Sequence, residues 1–421
     1  MSESYIIRNA LFLQKGHANH NQRVDVLVQE GVVQEIGKGI SSDAQELKGE
    51  EIVVSGGWID MRCHLTDPGL EHKDTLGTLL DTAAAGGYTS LVTLPNSNPP
   101  ISDKSSVSYL KSRSENHLVS VLPTGKLASE ENNENLAELF DMFNAGAIAF
   151  TNGDEAVSNG LLKKALLYAK PFGAKIVTRP SDKSLENGGL VNESPDTIHT
   201  GLKTNPSLSE SLSVREQIAV AEYCDAAIHL SCISTKESVA LVREAKKNGV
   251  NVSCDAAIHN LCFTDKEVLS FDENFKVYPP LRSISDQQSL IEAINDGTID
   301  AISSNHTSHN IESKQVEFDY ADFGSLSLQL VLPWYEKFLA DSISVERFVE
   351  CVTFGPCNLL GVGASDIEVG NEANLTVFDR AQEWTFDRST NFSLSKNSHE
   401  WKQVQRGRVV AVFNNKKVKI C

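Results

Sequence analysis

Three things are missing from this 421-residue chain: an apolar run approaching the ~20 residues needed to cross a bilayer, a long basic stretch, and any Cys-x-x-Cys pair. The first absence argues against a membrane-spanning helix. The second, with a formal net charge of −18, argues against nucleic-acid and anionic-membrane partners. The third leaves eight single cysteines to read as small buried hydrophobes and free thiols rather than disulfides. The opening Met1-Ser2-Glu3-Ser4 has neither a basic segment nor a signal core, so the cytoplasm is the expected compartment. Low-complexity linkers and short repeats are also lacking. What remains is an ordinary globular composition, 40% hydrophobic and 22% charged. The length suits a closed α/β barrel with a small appendage.

Both ends of the chain read as short strands. Val24 to Val28 and Val32 to Ile36 alternate around the turn signal Glu30-Gly31, and Ala373–Phe378 and Val409–Phe413 have the same texture. Residues 1–54 and 361–421 are therefore expected to pair into one small β domain around a central unit, 55–360. The centre alternates apolar runs with amphipathic segments. Eight strands are predicted: Val53–Ile59, Thr89–Leu94, Val119–Pro123, Ala147–Thr151, Lys175–Thr178, Ala227–Ser231, Asn251–Cys254 and Ile299–Ser303. The clearest helices are Asp74–Ala85, Leu136–Asn144, Gly160–Ala169, Val214–Cys224, Ser234–Lys247 and Ser285–Asn295. Strand–helix repeated in this way predicts a parallel (β/α)8 TIM barrel, whose chemistry gathers at the C-terminal strand ends. The polar stretch Asp182–Ser213 is long for a connection there and reads as an active-site loop.

The strand ends carry Asp60-Met61-Arg62-Cys63-His64, Pro95-Asn96, Asn152-Gly153-Asp154, Arg179-Pro180-Ser181-Asp182, His229 to Thr235, Asp255 to Asn260, and Asn305-His306 with His309. Together with Pro68-Gly69, Ser184-Leu185, Gly188-Gly189, Pro279-Pro280-Leu281-Arg282 and Phe323-Gly324, in this order and spacing, they resemble the dihydroorotase family of the amidohydrolase superfamily from about Val24 to Val418. The resemblance implies the metal-dependent-hydrolase barrel with a β domain built from both termini. It also implies a reaction, the reversible closure of N-carbamoyl-aspartate to dihydroorotate on one or two zinc ions.

Carried over position by position, the resemblance implies a dismantled site. The family's Asp-x-His-x-His places two histidines on one face of a strand, where both grip a metal; here the first is Arg62 and only His64 survives. The substrate-carboxylate arginine falls on Thr66. The substrate asparagine is kept as Asn96. The bridging group of the fourth strand falls around Asn152 or Asp154. The fifth-strand histidine falls on Arg179 and the sixth-strand histidine on Cys232, with His229 three residues before it and expected by strand parity to point elsewhere. A substrate-contacting asparagine falls on Tyr278, and the ligand and general base of the eighth strand falls on Asn305.

An amide does not take a proton near neutral pH, so Asn305 cannot replace that base. Each arginine about 4 Å from a divalent ion would repel it by roughly 8 kcal/mol at an effective dielectric near 20. The expectation is a dihydroorotase homologue with no catalytic residue and no metal cofactor, in which Arg62 and Arg179 fill the former metal positions and pair with Asp154, Asp182 or Asp60. His64, Asp154 and Cys232 mark the residual metal positions. Asn96, His259, Arg282, Arg62 and Arg179 are expected to line the substrate pocket. Such degenerate homologues act as structural partners of aspartate carbamoyltransferase in pyrimidine synthesis, and homodimers are common in the family. Two other readings stand beside this one: an active cyclic-amide hydrolase with one zinc on His64, Cys232 and a nearby aspartate, and a module with an anion pocket around Arg62 and Arg179. His306 and His309, at the exit of the eighth strand, form a metal signal without clear partner ligands.

Overall fold

The computed structural model describes residues 4–363 and 366–421. Eight parallel strands follow one another around a barrel: Trp58–Cys63, Tyr88–Thr93, Ser120–Lys126, Ala149–Thr151, Lys175–Thr178, Ile228–Leu230, Val252–Ala257 and Ala301–Ser303. The ring closes between the last and the first, where Cys63 bridges His306 and the His64 amide donates to the His306 carbonyl at 3.0 Å. The fold is thus the expected barrel, with a separate sheet formed by both termini.

In that outer sheet, Ile52–Gly56 joins the two ends of the chain, pairing with Ser4–Leu13 on one side and antiparallel with Leu375–Thr385 on the other. The predicted strand Val53–Ile59 is therefore two strands. The break is at Gly57, where a Cβ would lie 1.9 Å from Asn374 Oδ1 and 2.3 Å from Thr89 Oγ1. Only a residue without a side chain lets the chain pass from the sheet into the barrel there. Trp58, just beyond, is fully buried and packs edge-on against Tyr88, Phe348 and Phe378, tying barrel to sheet.

Several helices depart from the sequence reading, two of them around the barrel. Lys104–Ser114, after the second strand, was not among the clear predictions. It buries only Val107, Leu110 and Ser114, too thin an apolar stripe to stand out, and Asp103 caps it by accepting from the Ser106 amide at 2.7 Å. Ser207–Cys224 begins seven residues before the predicted Val214 start, inside the stretch read as loop. Its first turns are polar yet buried because Glu210 accepts from the Ser234 and Thr235 amides at 2.9 and 3.0 Å, a tertiary contact that periodicity cannot reveal. Among the described residues, no helix is long and apolar enough to cross a membrane.

Candidate functional site

Alternation on the first strand sends Asp60 and Arg62 to the same side, into the barrel, where both are buried. Arg62 Nη2 donates to Asp154 Oδ1 at 2.5 Å, and its Nε donates to Asn305 Oδ1 at 3.1 Å. From the fifth strand end, Arg179 Nη2 donates to the Asp154 carbonyl at 2.7 Å, and its Nε lies 3.3 Å from Asp154 Oδ1. His64 Nε2 lies 3.3 Å from Asp154 Oδ2. Asp154 is aimed by the turn before it, in which Gly153 has φ +65° and its amide donates to Thr151 Oγ1 at 3.1 Å. Asn305 has φ 50°, which asparagine tolerates better than most residues, and its Nδ2 donates to the Tyr278 carbonyl at 2.9 Å.

Three cationic or potentially cationic groups thus share one carboxylate. Burial alone would raise the Asp154 carboxyl, but the Arg62 and Arg179 guanidiniums overcome this and hold it well below the usual carboxylate range. Burial pulls the His64 imidazole down to about 4 against the attraction of Asp154, so it is neutral. Its tautomer follows from its neighbour. Asn96 Oδ1 accepts from the Leu65 amide at 3.1 Å, so Asn96 Nδ2 donates to His64 Nδ1 at 3.0 Å and the ring proton sits on Nε2, facing Asp154. The sequence offered Asp182 and Asp60 as further partners for the arginines, but both are engaged elsewhere. Asp182 caps a short helix, accepting from the Ser184 amide at 2.9 Å. Asp60 accepts from the Ser304 amide and hydroxyl at 2.7 and 2.6 Å, and burial pushes its carboxyl up to about 7.

Deeper in the barrel, strand parity misplaces His229 relative to Cys232. The sixth strand stops at Leu230 and Cys232 has φ 54°, so the chain turns back and both side chains reach Asp255. His229 Nε2 lies 2.8 Å from Asp255 Oδ2, and Cys232 Sγ lies 3.6 Å from Asp255 Oδ1. Asp255 also accepts from Ser303 Oγ at 2.6 Å and the Cys232 amide at 3.2 Å. Burial, then the Asp255 charge, pushes the Cys232 thiol up to about 12, so it is protonated.

At the mouth, the Tyr278 ring lies 3.4 Å from the Arg179 guanidinium carbon, face on. Its phenol donates to Glu186 and accepts from Lys183 Nζ at 3.1 Å, and Lys183 and Glu186 pair at 2.9 Å. The long loop is thereby latched to Tyr278. Asp255 was named from sequence only as part of a strand-end run and given no role, and Lys183 and Glu186 were not singled out. For Asp255 the signal was available, a carboxylate at the end of an apolar strand.

The remaining sequence candidates lie in other networks. His259 packs edge-on against Trp334 with ring centroids 5.0 Å apart. Neither of its ring nitrogens has a hydrogen-bond partner among the described residues, and burial lowers it to about 3. Arg282 is buried, donating to Ser234 Oγ at 3.1 Å, Asn192 Oδ1 at 3.0 Å and the Asn205 carbonyl at 2.8 Å, so it braces the long loop from beneath. His306 Nδ1 accepts from the Ser327 and Leu328 amides at 3.0 and 3.2 Å, while His309 Nε2 donates to the Phe323 carbonyl at 2.8 Å. Both histidines brace loops.

This donor set does not fit the zinc of the family reaction. The arginine forks reach Asp154, Cys232 Sγ faces Asp255 and Ser303, His64 Nδ1 accepts from Asn96, and Asn305 faces Arg62 with its carbonyl oxygen. Among the described residues, no three His, Cys, Asp or Glu side chains are grouped so as to hold a metal ion.

A parallel barrel with polar strand ends and a β domain built from both termini is an architecture with solved counterparts. The solved L-hydantoinase (dihydropyrimidinase) of Arthrobacter aurescens matches it with a TM-score of 0.86, covering 100% of this chain and 98% of that one at 22% identity, a likeness of fold. The family model for dihydro-orotase-like proteins matches residues 51–238. Proteins named dihydroorotase from Trichlorobacter lovleyi and Acetivibrio thermocellus are 35% and 34% identical, over 89% and 92% of this chain and 89% and 93% of their own. The chain belongs to the dihydroorotase family.

Proposed function

We propose that this protein is a non-catalytic dihydroorotase homologue of pyrimidine biosynthesis that serves as a structural partner of aspartate carbamoyltransferase. The observation that carries the loss of catalysis is the Arg62–Asp154–Arg179 cluster, which fixes two positive charges around the carboxylate nearest the residual histidine. A metal-bound hydroxide would need those charges gone and a carboxylate at Asn305. Tyr278 and its latch add a second obstacle by covering Arg179. The partnership follows from the family's degenerate members, and it has a direct test. Purified chain assayed in both directions with dihydroorotate and N-carbamoyl-aspartate is expected to give no turnover, and it is expected to co-purify with the transferase. Turnover that follows added zinc, or a chain that neither binds the transferase nor alters its activity, would remove the corresponding half of the proposal.

The reading with one zinc on His64, Cys232 and an aspartate draws less support. Cys232 faces Asp255, whereas His64 faces Asp154, so the donors lie in two separate clusters.

A further inference from the structure

We infer that two copies of this chain associate through the outer face of the helices Leu139–Ala145, Asn159–Ala169 and Ser207–Cys224, about a twofold axis through an aromatic cluster centred on Phe172.

The apolar content of this face exceeds what packing on the barrel uses. The first helix buries Leu139 and Met142, and the second buries Leu161, Ala165 and Ala169. Phe140, Leu167, Tyr168 and Tyr223 lie outside the buried stripes and are 46%, 48%, 49% and 74% exposed. They are also contiguous. The Phe172 ring, in the turn after the second helix, meets Phe140, Phe143 and Tyr168 with centroids 5.3, 5.2 and 5.7 Å apart. Lys163 Nζ lies 4.9 Å from the Tyr223 ring centroid, and Lys170 pairs with Asp225 at 2.9 Å, which ties the third helix to the second. Exposed apolar side chains scattered singly are ordinary, whereas a contiguous patch spread over adjoining helices marks a contact surface.

Charge identifies the occupant. Glu138 and Asp141 stand exposed beside Phe140 at one edge of the patch, and Lys163 stands beside Tyr223 at the other. Among the described residues, none of these three makes an ion pair. A net charge of −18 drives two copies apart wherever acidic surfaces meet, but this face carries both signs at separate edges. Rotation about a twofold axis through the Phe140–Phe172 cluster lays the acidic edge of each copy on the basic edge of the other, and the rings meet at the centre. Apolar burial then supplies the attraction, and the paired edges set the register. A different protein would need the same two edges in matching order, whereas a second copy has them by symmetry.

Sedimentation velocity of the full chain over about a hundredfold range of concentration is expected to show a monomer–dimer equilibrium with Kd on the order of 1 μM. Asp141→Lys and Lys163→Glu each bring like charges together at both ends of the interface, so each variant alone should dimerise about tenfold more weakly. Mixed in equal amounts, the two variants should dimerise with nearly the original affinity, because each then meets the opposite charge on its partner. Phe140→Ser should weaken the dimer at least about tenfold while leaving Tm at low concentration unchanged. If that variant does not fold, Tyr223→Ser, at a more exposed position, serves the same comparison. A chain that stays monomeric over the whole range, a dimer indifferent to these variants, or a mixture of the charge variants no stronger than either alone would overturn the inference.

Discussion

Replacing Asp154 with asparagine would leave Arg62 and Arg179 without the carboxylate they share. Breaking a buried pair on one side costs about 3–5 kcal/mol, and the 38% exposure of Asp154 places this loss at the lower end. Asp154→Asn should therefore lose about 3 kcal/mol in urea denaturation. The pH dependence has a definite sign. The folded Asp154 carboxyl lies below its unfolded value, so its contribution is complete above about pH 4 and is lost as acid protonates it. The variant should lack that part of the acid limb. Asp60 behaves in the opposite way. Burial raises its folded value to about 7, so its contribution is present below the unfolded value near 4 and disappears as pH rises through 7. Asp60→Asn should flatten stability between pH 4 and 7, as measured by chemical denaturation across that range. Residue identity alone made the Arg62 and Arg179 substitutions legible. The choice of Asp154 over Asp60 and Asp182 was not, because it depends on Ser304 and on a helix cap that only the folded chain brings into place.

At the level of elements, the loop from Asp182 to Asn205 is held at both ends by charge. Tyr278 and Lys183 fix Glu186 from above, and Arg282 grips Asn192 and Asn205 from below. Tyr278→Phe removes a hydrogen bond to a charged group, worth about 1.5–3 kcal/mol. Faster amide exchange is expected across residues 182–206, with little change in the barrel strands. Unchanged exchange there would mean that the latch contributes nothing. The strands themselves were legible because each is a short apolar run at regular spacing. The helix at Lys104–Ser114 and the early turns of Ser207–Cys224 were not, since one has a thin apolar stripe and the other buries polar side chains against a distant loop. Strand parity failed at Cys232 for a related reason: alternation holds only while the strand lasts, and Leu230 ends it.

For the molecule as a whole, a barrel that keeps its frame while changing its strand ends is expected to tolerate partial reversal without regaining metal. Arg62→His restores the His-x-His pair but leaves Arg179 against Asp154 and an amide at Asn305. That single variant should take up no stoichiometric zinc by elemental analysis. The frame was readable because order and spacing of strands, prolines and glycines run along the whole chain; the cluster at the mouth was readable as two arginines expected to pair with a carboxylate, but not as the choice of Asp154. The most direct measurement is the zinc content of protein purified without added metal and again after incubation with zinc, read beside dihydroorotate turnover. Zinc far below one per chain in both states, with no turnover, is expected from a barrel closed by Arg62, Asp154 and Arg179. Near-stoichiometric zinc with turnover, both lost in Cys232→Ala, would contradict it.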